Sequence, residues 1–186
     1  MDAINITSPL EAEVIEKLRV GDRVLISGLV YTARDAAHKR LVQAIVNGEK
    51  LPFNLEGQTL YYMGPSPARP GQVIGSAGPT TSSRMDIYTP PLLALGLRAM
   101  IGKGSRSQEV KEAIKRHRVV YFVTIGGAGA LLSKAIKKAK VIAYPELATE
   151  AIMRLELEGF PAIVANDIYG SDLFIQGRAS YRKEEI

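Results

Sequence analysis

The stretch VVYFVTIGGAGALLSKAIKKAKVIA, residues 119–143, decides the fold class. Its first six residues are apolar enough for a buried strand, a glycine-rich turn follows, and residues 130–138 show helical spacing before a second strand at 141–143. Upstream, the pattern predicts a strand over 73–76, a helix ending near Leu95, a strand over 99–101 and a helix over 108–116. This alternation predicts right-handed crossovers and a largely parallel sheet from residue 72 onward.

The two ends of the chain have different patterns. Near the N-terminus, Ser8-Pro9-Leu10-Glu11 predicts a helix start with Ser8 as N-cap and Glu11 completing a capping box. A strand over 23–31, a helix over 34–46 and a short strand over 60–63 follow. Near the C-terminus, residues 154–158, 162–165 and 172–176 look like strands, and a turn at 169–171 predicts antiparallel pairing of the last two.

The segment GPSPARPG, residues 64–71, cannot be helical, because its prolines lack amide donors and its glycines add flexibility. We expect a rigid connection within a single domain that spans residues 1–186. The predicted fold class is therefore α/β, with one mixed sheet that carries parallel crossovers after residue 72 and antiparallel strands near the C-terminus.

The composition excludes several kinds of chemistry within this chain. It has 186 residues, 46% of them hydrophobic and 23% charged, as in ordinary globular proteins. Cysteine is absent and histidine occurs twice, so the chain can supply no disulfide, thiol nucleophile or thiolate ligand to a metal. The apolar runs are too short for a bilayer and no signal peptide is evident, so we expect a cytoplasmic location and no membrane partner.

The formal charge of +5 raises the possibility of nucleic-acid binding. The basic residues are mostly dispersed, and the one cluster, Lys134 to Lys140, falls on a predicted helix and its exit, where a solvated helix face explains it. The aromatic content is 6%, and no aromatic-rich strand resembles a base-stacking platform. We therefore expect no nucleic-acid partner.

Two cationic loops and one more arginine indicate an anion site. The segment GPTTSSRMD, residues 78–86, combines turn formers, four hydroxyls and Arg84, and GKGSRS, residues 102–107, places Lys103 between glycines. Arg34 stands well before both. Turn amides, hydroxyls and a guanidinium fork suit a carboxylate, and three cations suggest a ligand with more than one negative charge.

Each of these motifs also has a purely structural interpretation. The hydroxyls of residues 80–83 could cap a helix, and Ser105 or Ser107 could cap the next one. Asp86 could pair with Arg84 or occupy a first helical turn. Arg34 and Asp35 could form an ion pair at a helix start, with His38 a partly buried histidine.

The glycine-rich segment IGGAGA, residues 125–130, resembles a dinucleotide fingerprint, because it follows a strand, opens a helix and precedes Glu146 by about twenty residues. The last glycine or alanine position of that fingerprint, counted from Gly127, is Leu132. Close packing of strand and helix explains the glycines as well.

Five ordered motifs resemble the β subunit, or C-terminal domain, of class I fumarate hydratase, the iron–sulfur type related to L(+)-tartrate dehydratase. They are ARDAAHKR at 33–40, GSAGPTT at 75–81 with RMD at 84–86, KGSRSQ at 103–108, IGG at 125–127 and YPEL at 144–147. The resemblance covers about residues 10–176. It implies a three-layer, swivelling β/β/α domain.

The resemblance also implies an activity, the reversible hydration of fumarate to (S)-malate, and roles for residues. Arg34, Arg84, Lys103 and Thr81 would bind the substrate, and Thr80 would take part in proton transfer. The supporting residues would be Asp35, His38, Asp86 and Arg106. A free hydroxyl is a poor proton acceptor, so Thr80 needs an activating neighbour to act as a base.

The same resemblance places a [4Fe–4S] cluster on a cysteine-bearing α subunit and not on this chain, in an expected heterotetramer of two α and two β subunits. Ser82-Ser83 and Ser105 depart from the family's frequent residues, while SRS at 105–107 favours fumarate over tartrate. Two alternatives stay open: an L(+)-tartrate dehydratase β subunit, and a non-enzymatic module that binds anions or nucleic acid.

Overall fold

The computed structural model describes residues 3–182. Seven strands and six α-helices, with three short 3-10 helices, follow in this order: β1 Ile4–Ser8, α1 Ala12–Lys17, β2 Arg23–Thr32, α2 Asp35–Val46, β3 Thr59–Tyr61, a 3-10 helix Ser82–Tyr88, α3 Thr89–Ala94, β4 Ala99–Gly102, α4 Gln108–His117, β5 Val120–Val123, α5 Gly129–Leu132, a 3-10 helix Ser133–Ala135, β6 Ile136–Ala143, a 3-10 helix Pro145–Glu150, β7 Ile152–Asn166 and α6 Leu173–Tyr181.

All seven strands belong to one mixed sheet of order β1-β2-β3-β4-β5-β7-β6, in which β2 also pairs with β7. Strands β1 to β5 are parallel to one another, while β7 runs antiparallel to β2, β5 and β6. Because β7 joins β2 to β5, the path β2-β3-β4-β5-β7 closes into a ring. The predicted α/β class and mixed sheet are confirmed.

Successive residues of the strands face opposite sides of the sheet and so belong to two different apolar cores. Tyr61, Ile101 and Phe122 belong to the first core, together with Ile26 and Phe160 from β2 and β7. Their strand neighbours belong to the second core, which also contains side chains of α2, α3 and α4: Leu41, Leu60, Leu92, Met100, Ile114 and Tyr121. In the first core, strands from opposite parts of the ring pack against each other, and in the second core α2, α3 and α4 pack on the outside of the sheet. The layers are therefore β/β/α.

The predicted helix start at Ser8 is wrong. Ser8 ends β1, which pairs in parallel with residues 24–28 of β2, and α1 begins only at Ala12 with Glu11 as its N-cap. The Ser8 hydroxyl forms a hydrogen bond of 2.8 Å with the Thr59 hydroxyl, a contact fifty-one residues distant in sequence. Tertiary pairing with β2 therefore overrides the local capping pattern.

The predicted strand over 73–76 is also wrong, because these residues form no ladder and lie in an irregular connection between β3 and the 3-10 helix Ser82–Tyr88. As expected, GPSPARPG at 64–71 contains no helix. Strands on both sides of this connection belong to the same sheet.

Two predictions near the C-terminus fail for related reasons. Residues 130–138 do not form one helix: α5 is a single turn, and β6 begins at Ile136 and pairs with β7. Lys134 lies in the 3-10 helix Ser133–Ala135, whereas Lys137 and Lys138 lie on β6 and pair with Glu158 and Glu156. Residues 172–176 are not a strand but the start of α6, and the two strands expected over 154–165 are one strand, β7.

Asp172 explains the second error. Its carboxylate accepts hydrogen bonds from the amides of Phe174 and Ile175 and thereby caps α6, so only a single antiparallel bridge, Asn166 to Asp172, accompanies the turn at 169–171. Among residues 3–182, no helix combines the length and the apolar character that crossing a membrane requires.

Candidate functional site

The carboxyl ends of four parallel strands lie along one rim of the ring. β2 leads to Arg34, β3 to Tyr62 and Met63, β4 to Lys103, and β5 to the glycine-rich turn. Loops that leave the carboxyl ends of parallel strands diverge and create the usual binding crevice of such sheets. The rim therefore collects the sequence motifs of residues 33–40, 78–86, 102–107 and 125–127.

The loop at 78–86 reaches this rim through backbone pairing. Pro79 bridges Met63, the Thr80 amide donates to the Tyr62 carbonyl at 2.7 Å, and Thr81 bridges Lys103. The Ser82 amide donates to the Lys103 carbonyl at 2.9 Å, and the Lys103 amide donates to the Ser82 hydroxyl at 3.1 Å. The two cationic loops are thus joined directly.

These contacts also decide between capping and other roles for the hydroxyls. The 3-10 helix Ser82–Tyr88 has Thr81 as its N-cap with no side-chain cap bond, so none of the four hydroxyls serves as the predicted cap. Ser107 is the N-cap of α4, and its hydroxyl accepts from the Val110 amide at 3.3 Å. The capping interpretation holds for Ser107 only.

Several polar side chains of the joined loops make no hydrogen bond or ion pair with any residue among 3–182: Thr80, Thr81, Ser83, Lys103 and Ser105. The Lys103 ammonium lies beside the glycine-rich turn, since a Cβ placed on Gly126 would be 3.6 Å from its Nζ. A half-buried lysine without an ion-pair partner among the described residues leaves its ammonium group open to an anion.

Arg34 and Arg84 meet around one carboxylate, that of Asp35. The Arg84 Nε donates to Asp35 Oδ1 at 2.7 Å, and the Arg34 Nε is 3.8 Å from Asp35 Oδ2. The Arg34 Nη2 is also 3.3 Å from Glu150 Oε1. The expected Arg34–Asp35 pair is confirmed, whereas Arg84 pairs with Asp35 and not with Asp86. Both Nη groups of Arg84 are without a partner among residues 3–182.

Asp86 instead pairs with Arg106 beneath the rim. The Arg106 Nε donates to Asp86 Oδ1 at 2.7 Å, its Nη2 donates to the Thr89 hydroxyl at 2.8 Å, and the Ser107 amide donates to Asp86 Oδ2 at 2.6 Å. Burial alone lowers the pKa of Arg106, but the interactions with Tyr62, Asp86 and Tyr121 outweigh it and raise that pKa. Arg106 is only 4% exposed, so it ties the two loops together from inside.

His38 lies under the same cluster and is completely buried, not partly as expected. Its Nδ1 is 2.9 Å from the Arg34 carbonyl, which can only accept, so Nδ1 carries the proton and Nε2 has no partner. Burial is the main cause that lowers the pKa of His38 from 6.5 to about 4. The imidazole is therefore neutral near pH 7 and packs edge-on against Tyr62 at 5.1 Å.

Sequence reasoning missed two residues of this region. Glu150 reaches Arg34 from a segment more than a hundred residues away, and no local pattern distinguishes it. The Tyr121 hydroxyl lies 2.8 Å from both the Gly104 carbonyl and the Ser82 hydroxyl, which fixes the 102–107 loop. A tyrosine within the apolar run of 119–123 was an available signal, since a buried hydroxyl requires a partner.

The glycine-rich turn is explained by packing against the loop at 76–78. A Cβ on Gly129 would lie 2.8 Å from the Gly78 amide nitrogen, and the Ala77 amide donates to the Gly129 carbonyl at 3.1 Å. Helix α5 that follows is one turn long, so it does not form the long helix of a dinucleotide site.

The described residues 3–182 offer no ligand set that fits a metal or cluster. The sequence contains no cysteine. Within the part of the chain that the structure describes, no three His, Asp or Glu side chains come together in a way that could hold a metal ion. The rim offers hydroxyls, guanidinium groups and an ammonium group, which suit an anion, and its Asp35 and Glu150 carboxylates face the arginines.

Comparisons with known proteins agree with the motifs at this rim. The family model described as "Fumarase C-terminus" matches residues 1–177. The chain is 39% identical over 178 residues to "Fumarate hydratase class I, aerobic" of Escherichia coli (strain K12), covering 93% of this chain and 32% of that protein. It is 40% identical over 157 residues to "Fumarate hydratase 2" of Leishmania major, covering 83% of this chain and 28% of that protein.

A relative of similar length also matches. The chain is 36% identical over 166 residues to the "Putative L(+)-tartrate dehydratase subunit beta" of Methanocaldococcus jannaschii, covering 86% of this chain and 85% of that protein. By contrast, the chain spans about a third of the length of the bacterial fumarate hydratases it matches.

Proposed function

The chain belongs to the Fumarase C-terminus family, and we propose that it supplies the substrate-binding half of a class I fumarate hydratase. This hydro-lyase adds water reversibly across the double bond of fumarate to give (S)-malate. The proposal treats residues 1–186 as one domain that is active only with a partner, in keeping with the chain's span of 32% of the E. coli relative.

The observation that supports the proposal most is the convergence of three cations at one rim. Asp35 holds Arg84 through its Nε and leaves both Nη groups open, and Lys103 carries an unpaired charge on the loop joined to Thr81. A C4 dicarboxylate requires cations at both ends. The open guanidinium edge suits a bidentate contact to one carboxylate, and the ammonium acts as a point charge.

Thr80 is the residue closest to the proposed chemistry. Its backbone is fixed by the Tyr62 carbonyl, while its hydroxyl makes no hydrogen bond to a base among residues 3–182. A threonine without an activating neighbour is a poor base. We therefore assign Thr80 a hydrogen-bonding part in proton transfer next to a substrate carboxylate, with the acid–base group supplied by the partner, and assign Thr81 to substrate binding. Asp35, His38, Asp86 and Arg106 support this arrangement from below.

The partner in this proposal is a cysteine-bearing α subunit that holds a [4Fe–4S] cluster, in a heterotetramer of two α and two β subunits in the cytoplasm. Two observations support this division: the lack of cysteine in the chain and the word "subunit" in the name of the M. jannaschii relative.

A second candidate is the β subunit of an L(+)-tartrate dehydratase. The matched lengths of this chain and the M. jannaschii relative favour it. The identities of 39% and 40% to fumarate hydratases favour fumarate. The two substrates differ in the groups between their carboxylates, so the same three cations serve either one.

Reconstitution with the cognate partner tests the proposal. The chain is co-expressed with the α chain, the complex is purified without oxygen, and the absorbance of fumarate is followed in the presence and absence of malate. We expect oxygen-sensitive interconversion of fumarate and malate. Turnover of tartrate without turnover of malate would assign the second function, and a salt-dependent gel shift without hydration of either substrate would favour a binding module.

A further inference from the structure

We infer that Glu150 is a positioning residue of the anion site: with Asp35, it sets the direction in which the Arg34 guanidinium points. This inference rests on the proposed function for its kinetic consequence and on contacts within the chain for its geometry. It concerns a side chain that carries no motif and lies outside the segments 33–40, 78–86 and 102–107.

The two oxygens of Glu150 have separate tasks. Oε2 accepts a hydrogen bond from the Ala36 amide at 2.8 Å, and Oε1 is 3.3 Å from Arg34 Nη2. Arg34 is the N-cap of α2 and has no side-chain cap bond, so the helix lacks a local partner for its first amides. Glu150 supplies that partner and adds a negative charge where a helix N-terminus favours one.

A glycine forms another side of the slot that holds Arg34. A Cβ on Gly64 would lie 2.8 Å from Arg34 Nη1 and 2.6 Å from the Thr149 carbonyl oxygen. The guanidinium is therefore confined between the backbone at Gly64 and the segment at Thr149-Glu150. Its planar fork has few orientations that satisfy both the Glu150 carboxylate and this narrow space.

Asp35 completes the arrangement from the opposite side. Its Oδ1 is bonded to Arg84, while its Oδ2 and the Arg34 Nε are both buried without a hydrogen bond and face each other at 3.8 Å. Two arginines and two carboxylates thus form a cluster with no net charge. Because the carboxylates contact the Nε groups of both arginines and the Nη2 group of Arg34, they orient both guanidinium groups and leave the Nη groups of Arg84 open to a ligand.

Glu150→Gln separates the two tasks of this residue. A glutamine oxygen still accepts from the Ala36 amide, so the helix keeps its cap, but the amide group no longer attracts Arg34. In the complex with the α chain, we expect kcat/KM for the dicarboxylate to fall about 10- to 100-fold, because misplacement of a binding group by about 1 Å costs that much. The melting temperature should change by less than about 3 °C.

Two further variants make the kinetic result specific. Glu146→Gln is the matched control, since Glu146 lies in the same 3-10 helix as Glu150. Its Oε1 is 3.0 Å from Arg40 Nη1, and neither residue belongs to the cluster of Arg34, Arg84, Asp35 and Glu150. The kcat/KM of this variant should stay within about twofold of the wild type. Glu150→Asp keeps the charge on a shorter arm and should recover part of the loss. Equal kinetics for Glu150→Gln and Glu146→Gln would overturn the inference.

A measurement without catalysis separates this inference from the proposed function. In the ¹⁵N-labelled full chain, Arg34 Nη signals, assigned with Arg34→Lys, should be resolved in the wild type because rotation about Nε–Cζ is hindered. They should merge in Glu150→Gln and stay resolved in Glu146→Gln. Unchanged Arg34 signals in Glu150→Gln would refute the positioning role. Merged signals together with an inactive wild-type complex would support the positioning role and refute the hydratase.

Discussion

Two arginine–aspartate pairs of this chain have the same bond and different surroundings. In both, an arginine Nε donates to an aspartate Oδ1 at 2.7 Å. The side chains of Arg106 and Asp86 are 0% and 11% exposed, and those of Arg84 and Asp35 are 51% and 28% exposed. Arg106 uses all of its nitrogens on protein groups, whereas Arg84 uses one. A satisfied arginine holds loops together, and an open arginine is available to a ligand.

The largest effect in this comparison should come from Arg106→Met. The substitution leaves the Asp86 carboxylate with one amide partner in a buried place, and it removes the hydrogen bond to Thr89. Breaking a buried ion pair from one side costs about 3–5 kcal/mol of unfolding free energy. Urea unfolding of the purified chain measures this loss.

Arg84→Met provides the matched control for stability. Its pair with Asp35 is half exposed, and such pairs contribute about 1 kcal/mol or less. Equal losses in the two variants would show that burial does not distinguish the pairs.

The second effect concerns catalysis. Here the exposed Arg84 should matter more than the buried Arg106, the reverse of their order in stability. Arg84→Lys keeps the charge but not the fork, so we expect kcat/KM of the complex to fall about 100-fold, with most of the change in KM. The control is Arg118→Lys, because the Arg118 side chain is 53% exposed and pairs with Glu16. Arg118 precedes β5 and so lies at the end of that strand away from the rim. If both lysine variants retain full activity, Arg84 is not a carboxylate ligand.

The third effect is smaller and involves His38, which hydrogen-bonds the Arg34 carbonyl and packs against Tyr62, a neighbour of Arg106. Its pKa falls from 6.5 to about 4 in the folded chain, so the unfolded chain binds more protons between these values. The contribution of the neutral His38 to the unfolding free energy is therefore complete above about pH 6.5 and is lost as the pH falls toward 4. From pH 7 to pH 5 the contribution of His38 to the unfolding free energy should decrease by about 2 kcal/mol.

The measurement compares urea unfolding of the wild type and His38→Gln at both pH values. Glutamine does not titrate, so the wild type should lose about 2 kcal/mol more than the variant. Parallel losses in the two proteins would assign the acid sensitivity to other groups.

Much of the fold could be predicted where local pattern and tertiary pairing agree. Helices over 34–46 and 108–116 and strands over 23–31 and 99–101 are present with bounds shifted by about one residue. The failures lie where a distant strand decides. Residues 136–138 belong to the helix predicted over 130–138 from its spacing, yet pairing with β7 makes them a strand. Ser8 is the end of a strand because β2 lies beside it.

The candidate site shows the same division. Local motifs identified the rim residues Arg34, Thr80, Arg84 and Lys103, because loops rich in glycine and hydroxyls are recognisable in sequence. Apart from the adjacent Arg34 and Asp35, the pairing of charges was not recognisable. Asp86 precedes its partner Arg106 by twenty residues and stands beside the wrong arginine in sequence. Side-chain partners depend on how elements pack, and a single sequence does not contain that information locally.

The closure of the ring by β7 has a consequence for how the chain is made. Tyr31 pairs with Arg154 and Arg23 with Ile163, so β2 keeps one side without its partner until residues 152–166 have been synthesised. One edge of β5 also stays unpaired until β7 has been synthesised. An incomplete chain on the ribosome thus exposes two hydrogen-bonding strand edges at once, and the rate of folding is set by contacts between its most distant segments. Truncations before residue 152 should aggregate instead of forming a smaller, stable sheet.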